Sequence, residues 1–375
     1  MRLTALACVL LAALAGCTAE HKVDEPVKLA WQRLQLPQPP DAQGRVMLRD
    51  AVTCGGNWYI TGSVMLADGD TRPAAWKSTD GEHWTNIVFA PRSYYGSRSV
   101  VYTAGCRDGK LAAAGAKSGG AHGNPRISTW FEKDDGSMDE VLAYFEMYGG
   151  NTAVDAAHLV GGPKGWMIAG NRTSGAAVWY SADAREFKIL EGAPELSSDD
   201  RGRVWATDVA GQAATWTLVG SIATPGRTDR DPLTWISSDG EHWTRQPFAA
   251  TNEDEVLQRI IVAGDQRIAA GQKGQSFGLW GDQGGWHEIA HFGSAGDKGL
   301  AEVAGLCAQK NVYVMTGDGD SYRLWSEAGG KARAVELPVG APAGSDRKAT
   351  VTCAGDRLVV LVDDGNQASA WMANG

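Results

Sequence analysis

The sequence predicts an all-β fold, a β-propeller of seven four-stranded antiparallel blades whose ring is closed by an N-terminal outer strand. Three observations predict it. Tryptophan recurs at positions 76, 130, 179, 235, 280, 325 and 371, at intervals of 45 to 56 residues, the period of a four-stranded blade. Each interval repeats one plan, short runs rich in Val, Ile, Thr and aromatics separated by Gly and Asp, which are strand and turn signals. The two ends also match. The seventh unit stops at Trp371-Met-Ala-Asn-Gly375, short of an outer strand, while Trp31-Gln-Arg-Leu-Gln-Leu36 reads as the missing one. A strand donated across that junction leaves no open edge there.

Taken in chain order, the first element is an address. Met1-Arg2 is a positive n-region, residues 3–14 are an apolar run, and Ala15-Gly16-Cys17 is a small-residue cleavage site, the pattern of a signal peptide. The run is too short to span a bilayer, which takes ~20 apolar residues. Leu14-Ala15-Gly16-Cys17 resembles the lipobox of bacterial lipoproteins. That resemblance implies loss of residues 1–16 and lipidation of Cys17 with diacylglyceryl and palmitate-type chains. The chain is then exported and held on a bacterial membrane, facing the periplasm or cell surface, by the several acyl chains that stable anchoring needs. The other reading is an ordinary signal peptide with a chance cysteine. Residues 17–28 are the lipidated cysteine and a short polar tether, and residues 29–375 are a single propeller.

Blade 1 shows the plan in full. Ala51-Val-Thr-Cys54 is an inner strand, Trp58-Tyr-Ile-Thr-Gly62 a second, a third ends at Trp76, and His83-Trp-Thr-Asn-Ile-Val-Phe89 is the outer one. Ser78, Asp80, Gly81 and Trp84 fall in the turn before the outer strand, and Ser237, Asp239, Gly240 and Trp243 repeat them with matching flanks. Degenerate copies follow Trp179, Trp130 and Trp280. This Ser-x-Asp-Gly-x-x-Trp pattern resembles the Asp-box of the BNR and sialidase-type propellers. In that family the motif lies on the blade periphery, so its implied role is structural: Asp and Ser bond backbone groups of their own hairpin, and Trp fills space between blades.

Composition narrows the function. With 43% hydrophobic residues, 15 Trp and only 21% charged residues, the chain is too apolar for disorder. A net charge of −9 provides no general footprint for nucleic acid. The sequence contains no Walker loop, GxGxxG or CxxC. His287-Glu-Ile-Ala-His291 matches a zinc-protease signature but aligns with the outer strands after Trp84 and Trp243. In a strand, residues four apart are separated by ~13 Å, too far to share one metal. Asp68-Gly-Asp70 and Asp318-Gly-Asp320 are the calcium candidates, oxygen-rich but without the full EF-hand spacing. Otherwise no cofactor is expected.

Ligands of propellers sit where the loops between second and third strands, and between blades, meet the channel mouth. The polar candidates there are Arg49, Asp68, Asp70, Arg72, His122, Arg126, Arg172, Arg227, Asp229, Arg230, Asp231, Asp318, Asp320, Arg323, Asp363 and Asp364. Arg92, Tyr94, Tyr95, Arg98, Arg201 and Arg203 lie between blades. The sialidase resemblance implies an arginine cluster, a Tyr/Glu pair and an acid/base Asp. Arg49, Asp68, Asp70 and Arg72 are the set blade 1 offers. The departures are a missing Arg-Ile-Pro signature, seven blades against six, and no assignable Tyr–Glu pair. Cys54, Cys106, Cys307 and Cys353 each end an innermost strand in blades 1, 2, 6 and 7. The open alternatives are Cys54–Cys106 with Cys307–Cys353, a Cys54–Cys353 bridge, or four buried thiols. The expectation is a monomeric envelope protein whose loop face binds a protein, peptide or glycan; the alternative is a sialidase-like exo-glycoside hydrolase or lyase at the channel mouth.

Overall fold

The computed structural model describes residues 25–119, 125–296, 300–340 and 346–375. The leader, Cys17, most of the tether and His122 lie outside the described residues. Seven separate sheets surround one axis, each with its innermost strand on the channel. These innermost strands are Arg45–Cys54, Val100–Arg107, Ala153–Gly162, Arg203–Gln212, Glu255–Ala263, Glu302–Ala308 and Lys348–Ala354. The fold is the expected seven-bladed, four-stranded antiparallel propeller. Each repeated tryptophan lies on the third strand of its blade, paired with the second.

The core is a ring rather than a centre. The buried apolar residues fall into seven clusters, one at each interface between neighbouring blades. Trp76, Trp130, Trp179, Trp216 and Trp235 are the largest fully buried side chains among them. Three indoles do a second job. Nε1 of Trp76, Trp179 and Trp235 donates to the carbonyls of Pro37, Met147 and Glu195, at 2.8, 2.6 and 2.8 Å. Each thus fixes the connection that enters its own blade. Near the axis the strands pack so closely that side chains must vanish. A Cβ on Gly105 would lie 2.8 Å from Val160 Cα, and one on Gly161 would lie 2.1 Å from Cys106 O.

The N-terminal segment closes the ring. Gln32 and Arg33 pair antiparallel with Met372 and Trp371, and Leu34 N–H donates to Ala370 O at 2.8 Å. The segment reaches beyond blade 7 on both sides. Val27 makes a parallel bridge to Val335 of blade 6, and Pro37 O is the acceptor for Trp76 of blade 1. One stretch of chain therefore straps three blades.

Two details depart from the sequence reading. Phe89, expected as the end of the outer strand of blade 1, instead joins Ala90 in a parallel pairing with Met138-Asp139 that widens blade 2 to five strands. The Phe89 ring meets Trp130 edge-on at 4.9 Å, so blade 2 offers a better apolar seat than the short outer strand Thr85–Asn86. Six innermost strands also carry an extra residue, at Arg49, Tyr102, Ala157, Thr207, Gln258 and Ala304, and that of blade 3 has a second at Val154. Such a bulge re-aims the side chains around it. Here several reach the next blade: Tyr102 Oη donates to Ala156 O at 2.5 Å, Thr207 Oγ1 to Leu257 O at 2.7 Å, and Gln258 Oε1 accepts from Val303 N–H at 2.5 Å.

Candidate binding groove on the loop face

The channel is lined by polar groups that serve the ring itself. Asp50 accepts the backbone N–H groups of Ala51 and, across the interface, Ala104, at 2.8 and 2.9 Å. Asp208 does the same for Val209 and Ile260 at 2.8 and 3.0 Å, and also holds His158 Nδ1 at 2.7 Å. Burial pushes the Asp50 carboxyl up. Burial also opposes ionisation of Asp208, but His158 and Arg259 outweigh it and hold that carboxyl low. With backbone partners on both oxygens, these carboxylates act as clips between blades.

The blade 1 candidates separate at the mouth. Arg49 turns to blade 7, donating to Asp363 at 2.6 Å and Asp346 at 3.0 Å, and Arg45 engages the same two carboxylates. Asp70 turns to blade 2 and pairs with Arg98 at 2.8 Å and Lys117 at 3.1 Å. Asp68 accepts the Asp70 N–H, and Arg72 donates to Thr71 O. Arg49, Asp68, Asp70 and Arg72 therefore do not form one constellation, because each finds a nearer partner in a flanking blade or its own turn. The calcium candidates are likewise spent on turns: Asp318 Oδ1 accepts the N–H groups of Asp320 and Ser321 at 2.9 and 2.7 Å. No group of three or more His, Cys, Asp or Glu among the described residues is arranged for a metal. His287–Phe292 is an outer strand, and His291 Nδ1 meets Glu288 rather than His287.

Most other loop candidates are paired locally. Arg227 joins Asp229 and Asp231, Arg230 joins Asp254, Arg201 joins Asp199, and Arg92 joins Asp139. Asp364 accepts the Asn366 and Gln367 N–H groups. At the mouth the structure also assembles a Tyr–Glu pair that sequence reading missed, with the Tyr322 hydroxyl donating to Glu302. Burial and then Glu302 push the phenol up. Burial works against ionisation of Glu302, but Lys348 at 3.0 Å and Tyr322 hold it low. Both residues face Gly317 across the blade 6 strands, so strand alignment alone would have found them.

A different region stands out as a surface for a ligand. Among the described residues, four of the nine exposed large hydrophobics, Leu142, Tyr144, Phe145 and Val154, gather on the loop face around the blade 2–blade 3 interface. They border two adjoining hollows of about 370 and 390 Å³ that share Arg126, Ile127, Phe145 and Tyr148. Exposed apolar groups this concentrated mark interaction surfaces in proteins that otherwise bury them. The wall is rigidly built. A single helical turn, Phe145–Tyr148, is fixed from below by buried Arg172, which donates to the carbonyls of Glu146, Met147 and Gly149 at 2.7 to 2.9 Å. Trp179 Nε1 also donates to Met147 O. The short turn therefore holds its exposed rings at the rim without a helix dipole or long packing face.

Two charges line the groove. Arg126 rests its guanidinium 4.4 Å from the Phe145 ring centre and 5.8 Å from that of Tyr95. Asp155 is bonded by Asn171 Nδ2 through both oxygens, at 3.0 and 3.2 Å. Burial raises the Asp155 carboxyl to about 6, although the Asn171 bonds pull the other way. Burial pushes the Tyr102 phenol upward, helped by Tyr148 and Asp155. Sequence reading names Tyr95 and Arg126 here and Arg172 beneath the turn, and misses Tyr102, Tyr144, Phe145, Tyr148 and Asp155; Arg98, also named, stacks on Tyr94 and pairs with Asp70 instead. A signal was present: five of the nine tyrosines fall between residues 94 and 148.

The innermost strands carry two disulfides, Cys54–Cys106 and Cys307–Cys353, with Cα atoms 5.2 and 5.8 Å apart. They join blade 1 to blade 2 and blade 6 to blade 7.

No protein-family model matches the chain, and no curated protein matches it in sequence. Solved structures do. The β-propeller domain of the trilobed protease from Pyrococcus furiosus is 12% identical, with 88% of this chain and 96% of that one covered and a TM-score of 0.50. YCF48 bound to a D1 peptide is 12% identical over 92% of this chain and 95% of that one, at 0.51. A puromycin-hydrolysing peptidase from Mycobacterium tuberculosis gives 12% and 0.56 over 94% of this chain, which spans 55% of that protein. Likeness at this identity speaks for the fold, a seven-bladed propeller.

Proposed function

We propose that this chain is a lipid-anchored envelope protein whose propeller docks a partner polypeptide in the groove between blades 2 and 3. The observation that carries the reading is the collection of exposed Leu142, Tyr144, Phe145 and Val154 around two adjoining, rigidly walled hollows. Large rings with few rotatable bonds are efficient contact residues, because little entropy is lost on binding. The similarity to YCF48, whose structure holds a peptide, agrees with such a use of the fold and does not carry it. The anchor rests on Leu14-Ala-Gly-Cys17; its test is palmitate labelling, expected in the wild type and absent in Cys17→Ser.

The docking test uses residues 18–375 immobilised and challenged with a displayed peptide library. Peptides are expected to be enriched on the wild type and to be lost on Phe145→Asp. Enrichment unaffected by that change sinks the reading. A second reading, a glycoside hydrolase at the mouth, has one observation in its favour, the Tyr322–Glu302 pair. Against it, Arg49 and Arg45 are already saturated by Asp346 and Asp363, whereas a carboxylate-binding arginine must be open to its ligand. The expected result with fluorogenic glycosides, a sialoside included, is no turnover; turnover lost in Tyr322→Phe would reverse the assignment.

A further inference from the structure

The groove has a floor as well as a rim, and the floor is selective. Tyr102, Phe145 and Tyr148 line the 390 Å³ hollow together with Ala116, Ile127 and Asp155. Aromatic faces attract cations through the negative potential of their π-systems, most strongly where water is excluded. Arg126 already illustrates this, since ring faces hold its guanidinium and no carboxylate pairs with it among the described contacts. Asp155 adds a formal negative charge to the same hollow. Its one side-chain partner is an amide, not a cation. A carboxylate kept in an apolar setting without a counter-ion costs the fold stability, and a ligand that brings the counter-ion recovers that cost.

Resting on the docking reading above, we infer that this hollow takes a lysine side chain of the partner polypeptide, its ammonium on Asp155 and its stem between Tyr148, Phe145 and Ile127. The chemistry selects lysine over two competitors. A peptide N-terminus has no aliphatic stem to cover the apolar wall. An arginine fork binds carboxylates best through both oxygens at once, and here Asn171 Nδ2 already occupies that bidentate edge. A compact ammonium needs one lone pair on either oxygen and has three rotatable donors. Tyr102 of blade 2 and Tyr148 of the connection share the hollow with Asp155, and Asn171 of its own blade bonds it. Arg126 lies in the same groove, on the Phe145 face.

The test uses pooled acetylated hexapeptide amides with lysine fixed at one central position. Matched pools carry norleucine, acetyl-lysine or arginine there, and all pools are measured on immobilised residues 18–375. Lysine pools are expected to be retained about tenfold better than norleucine or acetyl-lysine pools near pH 7.5, and better than the arginine pool. The preference should vanish in Asp155→Asn, which keeps the Asn171-facing shape, and should fade at about pH 5, below the Asp155 value of about 6. Phe145→Asp should abolish retention of every pool. Equal retention of lysine and norleucine pools that remains Phe145-dependent overturns the lysine assignment and leaves docking standing. A lysine preference that survives Asp155→Asn overturns it too. Retention indifferent to both variants overturns the docking reading along with it.

Discussion

Asp155 is the residue at which the proposed ligand recognition and stability pull apart. Its carboxyl is raised by burial to about 6, above the unfolded value of ~3.9. The folded state therefore binds the proton more tightly than the unfolded chain does. The favourable term is complete below the unfolded value and is lost as pH rises through about 6. Asp155→Asn removes the term, so relative to wild type the variant should gain about 2 kcal/mol between pH 4 and pH 8. Urea midpoints of both proteins at the two pH values measure it; no pH dependence in the difference would mean that the carboxyl is not desolvated. Arg172 is the opposite case, a buried cation whose guanidinium meets three carbonyls of the Phe145–Tyr148 turn. Arg172→Leu orphans those acceptors and should cost about 2–4 kcal/mol, with faster amide exchange over residues 144–150. Neither role was legible in sequence. Arg172 stands there among the loop-face ligand candidates and Asp155 is not singled out, and the weight of both comes from burial that only packing between blades 2 and 3 creates.

At the scale of elements, the turns were the most legible feature, because their chemistry is local. In blades 1 and 4 the repeated motif folds identically. The Gly81 and Gly240 N–H groups donate to Ser78 and Ser237 Oγ at 2.8 Å. Asp80 and Asp239 each accept two further N–H groups, and the Trp84 and Trp243 indoles donate to the carbonyl of the turn glycine at 3.0 and 3.1 Å. Those N–H bonds, with the following histidine, hold both carboxyls far below the ordinary range. Blade 3 keeps only part of this set: Asp183 accepts the Arg185 and Glu186 N–H groups, while Ala184 at φ 63° replaces the glycine and Phe187 replaces the indole donor. Gly240 sits at φ 84°, so Gly240→Ala should cost about 1 kcal/mol in thermal unfolding; no cost would show that the turn relaxes. The innermost-strand bulges were not legible. One extra residue in a ten-residue strand leaves the apolar pattern nearly intact, and the partner that justifies it lies in the next blade.

For the whole molecule, the seven-fold period was readable because every blade must bury the same two faces, and the repeated tryptophan marks one of them. The ring closure was readable for the same reason: an unfinished unit at one end and a spare strand at the other. The groove was not, since it is assembled from two connections and three strands that the repeat pattern treats as variable. Closure is reinforced by disulfides on both sides of the strap, Cys54–Cys106 and Cys307–Cys353. Each closes a loop of about 50 residues, so Cys307→Ser with Cys353→Ser should lower stability by about 2–4 kcal/mol in urea unfolding. An unchanged midpoint would show that the blade interfaces alone hold the ring.

The blade 2–blade 3 groove, and not the channel mouth, is the place proposed for this propeller to meet its partner. Hydrogen–deuterium exchange of residues 18–375, with and without the lysine-centred peptide pool, tests it most directly. Protection is expected over residues 93–102 and 142–156, with residues 300–323 and 346–348 unchanged. Protection confined to the mouth, around Glu302, Tyr322 and Lys348, would contradict the account.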